Sequence, residues 1–238
     1  MNTAKKIKVL IVDDSDVILH SLKDLFEGYN FEVITCYDGL EGIQKSAELK
    51  PDIIFLDLMM PNFDGIKMLQ VKSVLKDIQH IPVIVISANT VRSNVMAATE
   101  AGAYKVIPKP IQRDIIIETV NEVLGGDHFK NKTSTKSFTP SDDREIKSNL
   151  AKFFIDSFEI KKKVILEALN TKNVDRLKMV LHEIKGAGGT IGYPEITEMS
   201  RDVMQKEFKS PTDWVFAEFK CNLMFQKVAE IKSELNTV

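Results

Sequence analysis

Cysteine is scarce in this chain: Cys36 and Cys221 stand alone among 238 residues, too far apart in sequence to form a local metal or redox motif. Long apolar runs are missing too. The longest, such as 81–88, are strand-sized, are interrupted by Pro82 and Ser87, and fall well short of the roughly 20 residues a membrane helix needs, so no membrane insertion is expected. Nor is there an excess of one charge. With 32 basic and 34 acidic side chains spread along the sequence, the net charge is −2, and no strongly basic surface is available to neutralise nucleic-acid phosphates. Nucleic acid is therefore not an expected partner. No charged-then-apolar leader precedes the first strand-like run, and a reducing cytoplasm is the expected setting. What is present is globular material, 44% apolar and 28% charged, enough to bury one or two cores.

From residue 5 to about 124, short β-branched runs (8–12, 32–36, 52–56, 82–86 and 103–107) alternate with amphipathic segments such as 17–26 and 40–49. The runs are continuous rather than alternating, as expected for strands buried on both faces. The pattern predicts an α/β domain over 5–124, a doubly wound five-stranded parallel sheet with helices on both sides. Asp64-Gly65 is placed to start a helix and Gly102 to end one. Residues 125–141, rich in Gly, Ser, Thr and Lys, read as a linker. Beyond it, over 142–238, apolar residues recur at three and four: Leu150, Phe153, Phe154, Phe158, Val164, Ile165, Ala168 and Leu169, then Leu177, Val180, Leu181 and Ile184. Asn173 and Pro194 look like helix starts, and Pro211 opens a last helix through Leu223, Val228 and Ile231. This half is predicted to be an all-α bundle of about four helices.

Open α/β sheets bind ligands outside the carboxyl ends of their strands. Here strand one ends in Asp13-Asp14, strand three in Asp57, strand four in Ser87-Ala88 and strand five in Lys109-Pro110. A single strand-end aspartate is more often a turn or cap residue than a ligand. Five such placements in one domain are harder to dismiss. Three carboxylates in one crevice repel each other unless a cation joins them, which implies a hard, oxygen-loving ion such as Mg²⁺. Lys109 would add a fixed positive charge and Ser87 a hydroxyl for phosphoryl oxygens.

These residues, with Asp57-Leu58-Met59-Met60-Pro61-Asn62-Phe63-Asp64-Gly65 and Gly102-Ala103, resemble a response-regulator receiver domain, a flavodoxin-like fold. The resemblance implies that Asp57 is phosphorylated by a sensor histidine kinase. It also implies that Asp14, Asp57 and the Met59 carbonyl hold Mg²⁺, with Asp13 acting through water, and that the bond before Pro110 is cis. Slow hydrolysis of the aspartyl phosphate, rather than enzymatic turnover, is the expected activity. Where the family often carries an aromatic ring three residues before the lysine, this chain has Val106; Tyr104 is the nearest ring.

At helical spacing, 175–192 puts Leu177, Val180, Leu181, Ile184 and Ile191 on one stripe and His182, Lys185, Gly186 and Gly189 on another. His182 is expected to face outward, with Lys185 at i+3 able to hold an anionic group. Three glycines in four residues (Gly186, Gly188, Gly189) cost up to about 1 kcal/mol each in a helix, which points to close approach by a docking partner. The run His182-x-x-Lys185-Gly186-x-Gly188 with Gly192 resembles a histidine phosphotransfer domain. That resemblance implies phosphorylation at His182 and a receiver domain docking there. His20, His80 and His128 read as solvated or capping residues.

Rivals fit less well. An aspartyl-phosphate phosphatase would want a second aspartate where Met59 stands; a flavodoxin-like cofactor binder would want a Gly- and Ser-rich loop in place of Asp13-Asp14; a DNA-binding regulator would want a basic helix-turn-helix. No Walker-type loop for ATP is present. The expectation is a phosphorelay protein whose Asp57 and His182 both carry phosphoryl groups. The alternative is a receiver that switches access to His182 without exchanging phosphate with it.

Overall fold

The computed structural model describes residues 5–60, 63–88, 90–129 and 140–236, with side chains in the last segment from 147 to 235. The chain divides into two compact units, Met1–Ser137 and Phe138–Val238.

The first unit alternates strand and helix: Ile7–Val12 (β1), Asp16–Phe26 (α1), Phe31–Cys36 (β2), Gly39–Leu49 (α2), Ile53–Asp57 (β3), Gly65–Val74 (α3), Val83–Ser87 (β4), Arg92–Glu100 (α4), Lys105–Pro108 (β5) and Arg113–Leu124 (α5). All neighbouring strands are parallel, in the order β2-β1-β3-β4-β5. Successive residues of a strand serve opposite faces, so β1 sends Val9 and Ile11 into one core and Leu10 and Val12 into the other. The first core is closed by Ile18, Leu22 and Phe26 of α1 with Ile116 and Val120 of α5; the second by Met68 and Leu69 of α3 with Ala98 of α4. At about 1.5–3 kcal/mol per buried aliphatic side chain, these two layers are the main favourable term holding the sheet.

β3, β4 and β5 begin later than their patterns suggest, and for β3 and β5 the reason is local. The Asp52 carboxylate accepts from the Lys8 amide at 2.7 Å and so lies just outside β3. Ala103 belongs to the turn that ends α4, where its amide bonds the Ala98 carbonyl at 2.9 Å and Gly102 adopts φ +103°. Asp38 and Asp64 cap α2 and α3 through their carboxylates. Both sheet edges carry charge: Glu32 is exposed on β2, and Lys105 of the four-residue β5 pairs with Glu122 at 2.8 Å.

Of the linker expected over 125–141, residues 130–139 lie outside the described residues, and both flanks are structured. The His128 amide donates to Asn121 Oδ1 at 2.9 Å, and the Phe129 ring packs on Phe26, Tyr29 and Phe31. His128 takes the capping rather than the solvated reading: its Nε2 lies 3.2 Å from the carbonyl of Gly125, which ends α5, and its ring lies 6.5 Å from that of Phe31. Pro140 and Ser141 already belong to the next helix.

Among the described residues the second unit holds four helices: Pro140–Thr171 (α6), Val174–Thr190 (α7), Pro194–Met204 (α8) and Pro211–Asn236 (α9). Asn173 caps α7 by accepting from the Arg176 amide, and Pro194 occupies the first turn of α8. Leu150, Phe154, Phe158, Ile165 and Ala168 of α6 and Leu177, Val180, Leu181 and Ile184 of α7 are buried, and the two helices pack on each other. Helix α9 opens at Pro211 and runs through Leu223, Val228 and Ile231 as expected; Leu223 is exposed, with Val215 and Phe219, while Ala217, Cys221, Met224, Val228 and Ile231 are buried. Two apolar stripes run along that helix, and sequence spacing cannot say which one faces the core.

Candidate functional site

In the parallel sheet every strand delivers its carboxyl end to the same rim, and chain order reverses between β1 and β3. Asp13 and Asp14 follow β1 directly, Asp57 is the last residue of β3, Ser87 the last of β4, and Lys109 follows β5. Lys109 Nζ donates to Asp13 Oδ2 at 2.7 Å and to Asp57 Oδ2 at 3.1 Å, joining three strands through one ammonium. Carboxylate oxygens of Asp14 and Asp57 come within 4.8 Å of each other. Asp13, Asp57 and Ser87 are buried, at 2%, 3% and 0% exposure, whereas Asp14 is half-buried and Met59 exposed.

Backbone amides hold the carboxylates in place. Ser15 N donates to Asp13 Oδ1 at 2.9 Å and Met59 N to Asp57 Oδ1 at 3.3 Å. The Lys109 amide reaches the Ser87 carbonyl at 2.9 Å, and the Lys109–Pro110 peptide is cis, as the resemblance implied. Pro61 and Asn62 of the motif lie outside the described residues.

One necessity here had only a helix-start reading in the sequence. A Cβ at Gly65 would stand 2.2 Å from the Asp57 carbonyl oxygen, so α3 can begin this close to β3 only with glycine. Tyr104, the ring nearest to Val106 in sequence, precedes β5 with its ring exposed and its hydroxyl 3.2 Å from Glu122 Oε1, while Val106 packs at the margin of the second core.

Among the described residues, three carboxylates and the Lys109 ammonium gather at this rim, which makes it rich in acidic oxygens. Burial pushes the Asp13 carboxyl up to about 6; the Lys109 charge opposes that rise and the Asp57 charge adds to it. Burial alone would lower the Lys109 pKa, but Asp13 and Asp57 outweigh it and hold the ammonium well above its ordinary value. Carboxylate oxygens brought together on one rim fit a hard divalent cation.

In the second unit His182 and Lys185 lie one turn apart on α7, both half-buried. Glu183 pairs with Lys161 of α6. The helix stops in a Schellman turn: Gly192 has φ +91°, the Tyr193 amide bonds the Gly188 carbonyl at 2.9 Å and the Gly192 amide bonds Gly189 at 3.3 Å. The expectation that the glycines serve a docking partner needs correction at Gly188. Its Cβ would meet the Thr197 backbone nitrogen at 2.7 Å, so glycine there admits α8 of the same bundle.

Residues 9–121 match the family model described as the response regulator receiver domain. The chemotaxis protein CheY of Thermotoga maritima is 37% identical over 117 residues, covering 49% of this chain and 96% of that protein. The polar-differentiation response regulator DivK of Brucella anthropi is 33% identical over 120 residues, covering 49% and 95%. A solved CheY-like receiver domain protein from Methanospirillum hungatei is 26% identical with a TM-score of 0.47, covering 50% of this chain and 94% of that one. Through its first unit, the chain belongs to the response regulator receiver family.

Proposed function

We propose that this protein is a two-component phosphorelay component in which Asp57 of the receiver and His182 of the helical unit each carry a phosphoryl group. A receiver domain implies two-component signalling, and receiver domains bind Mg²⁺ at the acidic pocket. The observation that carries the reading is the Lys109 ammonium spanning Asp13 and Asp57 at the carboxyl rim of the sheet. Asp13, Asp14, Asp57 and the Met59 carbonyl would hold Mg²⁺, which when bound supplies positive charge against both the carboxylate and the incoming phosphoryl group. An Asp57 oxygen attacks phosphorus of a sensor kinase phosphohistidine; the new P–O bond replaces the P–N bond, and the departing imidazole nitrogen takes up a proton. Lys109 neutralises the oxygens of the transferred group and Ser87 donates its hydroxyl to one of them.

For the second unit the reading is a histidine phosphotransfer domain, spanning about 142–238 after a linker. It is supported by a four-helix unit with His182 and Lys185 on successive turns of α7. A neutral imidazole nitrogen is the nucleophile, and Lys185 holds the anion. The partners are a sensor histidine kinase and a separate receiver domain docking at His182, in a cytoplasmic setting.

The test is to incubate the purified chain with Mg²⁺ and either acetyl phosphate or phosphoramidate, then map the label by its stability. Base-labile label lost in Asp57→Ala and base-stable, acid-labile label lost in His182→Gln support the two assignments. Label retained in either variant overturns that assignment. Label that reaches His182 from a cognate kinase in wild type but not in Asp57→Ala marks direct exchange; arrival only from separate receivers marks the switch alternative.

A further inference from the structure

The hydrogen-bond ladder of α7 contains a hydroxyl from another helix. Thr197, at the end of the first turn of α8, donates from Oγ1 to the Lys185 carbonyl at 2.9 Å and accepts from the Gly189 amide at 3.1 Å. Residues 185 and 189 are the i and i+4 partners of an ordinary helical turn. One hydroxyl can serve both because it has one proton to give and two lone pairs to receive. Side chains that enter a ladder in this way are a recognised cause of local helix bending.

The seat is built for this contact. A Cβ at Gly188 would lie 2.6 Å from Thr197 Oγ1, so glycine at 188 is what lets the hydroxyl reach the backbone of α7. On the amino-terminal side, Glu183 is tied to Lys161 of α6. His182 and Lys185 thus sit in a stretch of α7 gripped by α6 at residue 183 and by α8 at residues 185 and 189.

We infer that Thr197 is a positioning residue for His182: it sets the pitch of the turn bearing Lys185, and so the direction in which imidazole and ammonium meet a phosphoryl donor. This rests on the reading of His182 as a phosphoacceptor. Thr197 touches no reacting atom and acts only through the backbone. Misplacement of reacting groups by about 1 Å can cost up to about a hundredfold in rate.

The experiment uses the full chain in an Asp57→Ala background, so that label from phosphoramidate reports His182 alone. Thr197→Val keeps the branched shape without the hydroxyl; Thr197→Ser keeps the hydroxyl. The expected result is a maximal labelling rate lowered about tenfold in the valine variant, with half-saturating phosphoramidate unchanged and faster exchange of the Gly189 amide, and recovery to within about twofold in the serine variant. Wild-type labelling by a normally melting valine variant overturns the inference. Should valine disrupt the bundle, Thr197→Cys replaces it, being the size of serine but a weak hydrogen-bonding group; serine and cysteine variants labelling equally fast overturn the inference as well. No label on His182 in the parent is a different failure, that of the phosphoacceptor reading itself.

Discussion

Lys109 holds the acidic crevice together, and its removal should expose how much the carboxylates repel. Its side chain is 6% exposed and faces Asp13 and Asp57 at 3% each, so Lys109→Met leaves buried carboxylates without their counter-charge. Breaking such a buried pair should cost about 3 kcal/mol, read by urea unfolding in EDTA. Asp57→Asn removes a like charge instead and should melt at or above wild type. The two thiols give a pH prediction. Burial pushes Cys36 and Cys221 up to about 12, so each stays protonated in the folded chain after the unfolded chain has ionised. Between about pH 9 and 12 the unfolded state therefore binds fewer protons, and stability falls as pH rises through that window. Urea midpoints measured at pH 8 and pH 10.5 check the sign, with Cys36→Ala/Cys221→Ala showing a smaller drop.

At the level of elements, the start of α3 is the most constrained junction. Gly65→Ala sets a Cβ against the Asp57 carbonyl and should cost about 1–3 kcal/mol, with slower labelling of Asp57; a variant as stable as wild type would show that α3 can retreat freely. The strands were legible because each is a continuous β-branched run, and the rim residues because a parallel sheet leaves strand ends only one place to gather. Asn173, Pro194 and Pro211 were legible as helix starts because capping and proline chemistry are local. Which side of α9 faces the core is not legible, since the helix carries apolar residues on two sides and only the packing of α6 and α8 selects between them. The pairing of Gly188 with Thr197 is not legible in the sequence for a related reason. Their partnership depends on how closely two helices approach, which no spacing within either helix encodes.

On the scale of the whole molecule, each unit encloses its own core and its own cysteine, Cys36 in the first and Cys221 in the second, both fully buried. Fragments 5–129 and 140–238 should each unfold cooperatively when expressed alone. In the intact chain, thiol labelling followed by peptide mapping should give a separate urea midpoint for each cysteine. Phe129→Ala should lower the Cys36 midpoint alone, by a loss of about 1–3 kcal/mol in the stability of that unit, because its ring packs on Phe26, Tyr29 and Phe31. The borders of the sheet have a consequence of another kind. A neighbouring chain adding itself to β2 or β5 would have to smother Glu32 or Lys105, and β5 offers it a template of only four residues. A second folded copy should therefore extend this sheet poorly at either edge.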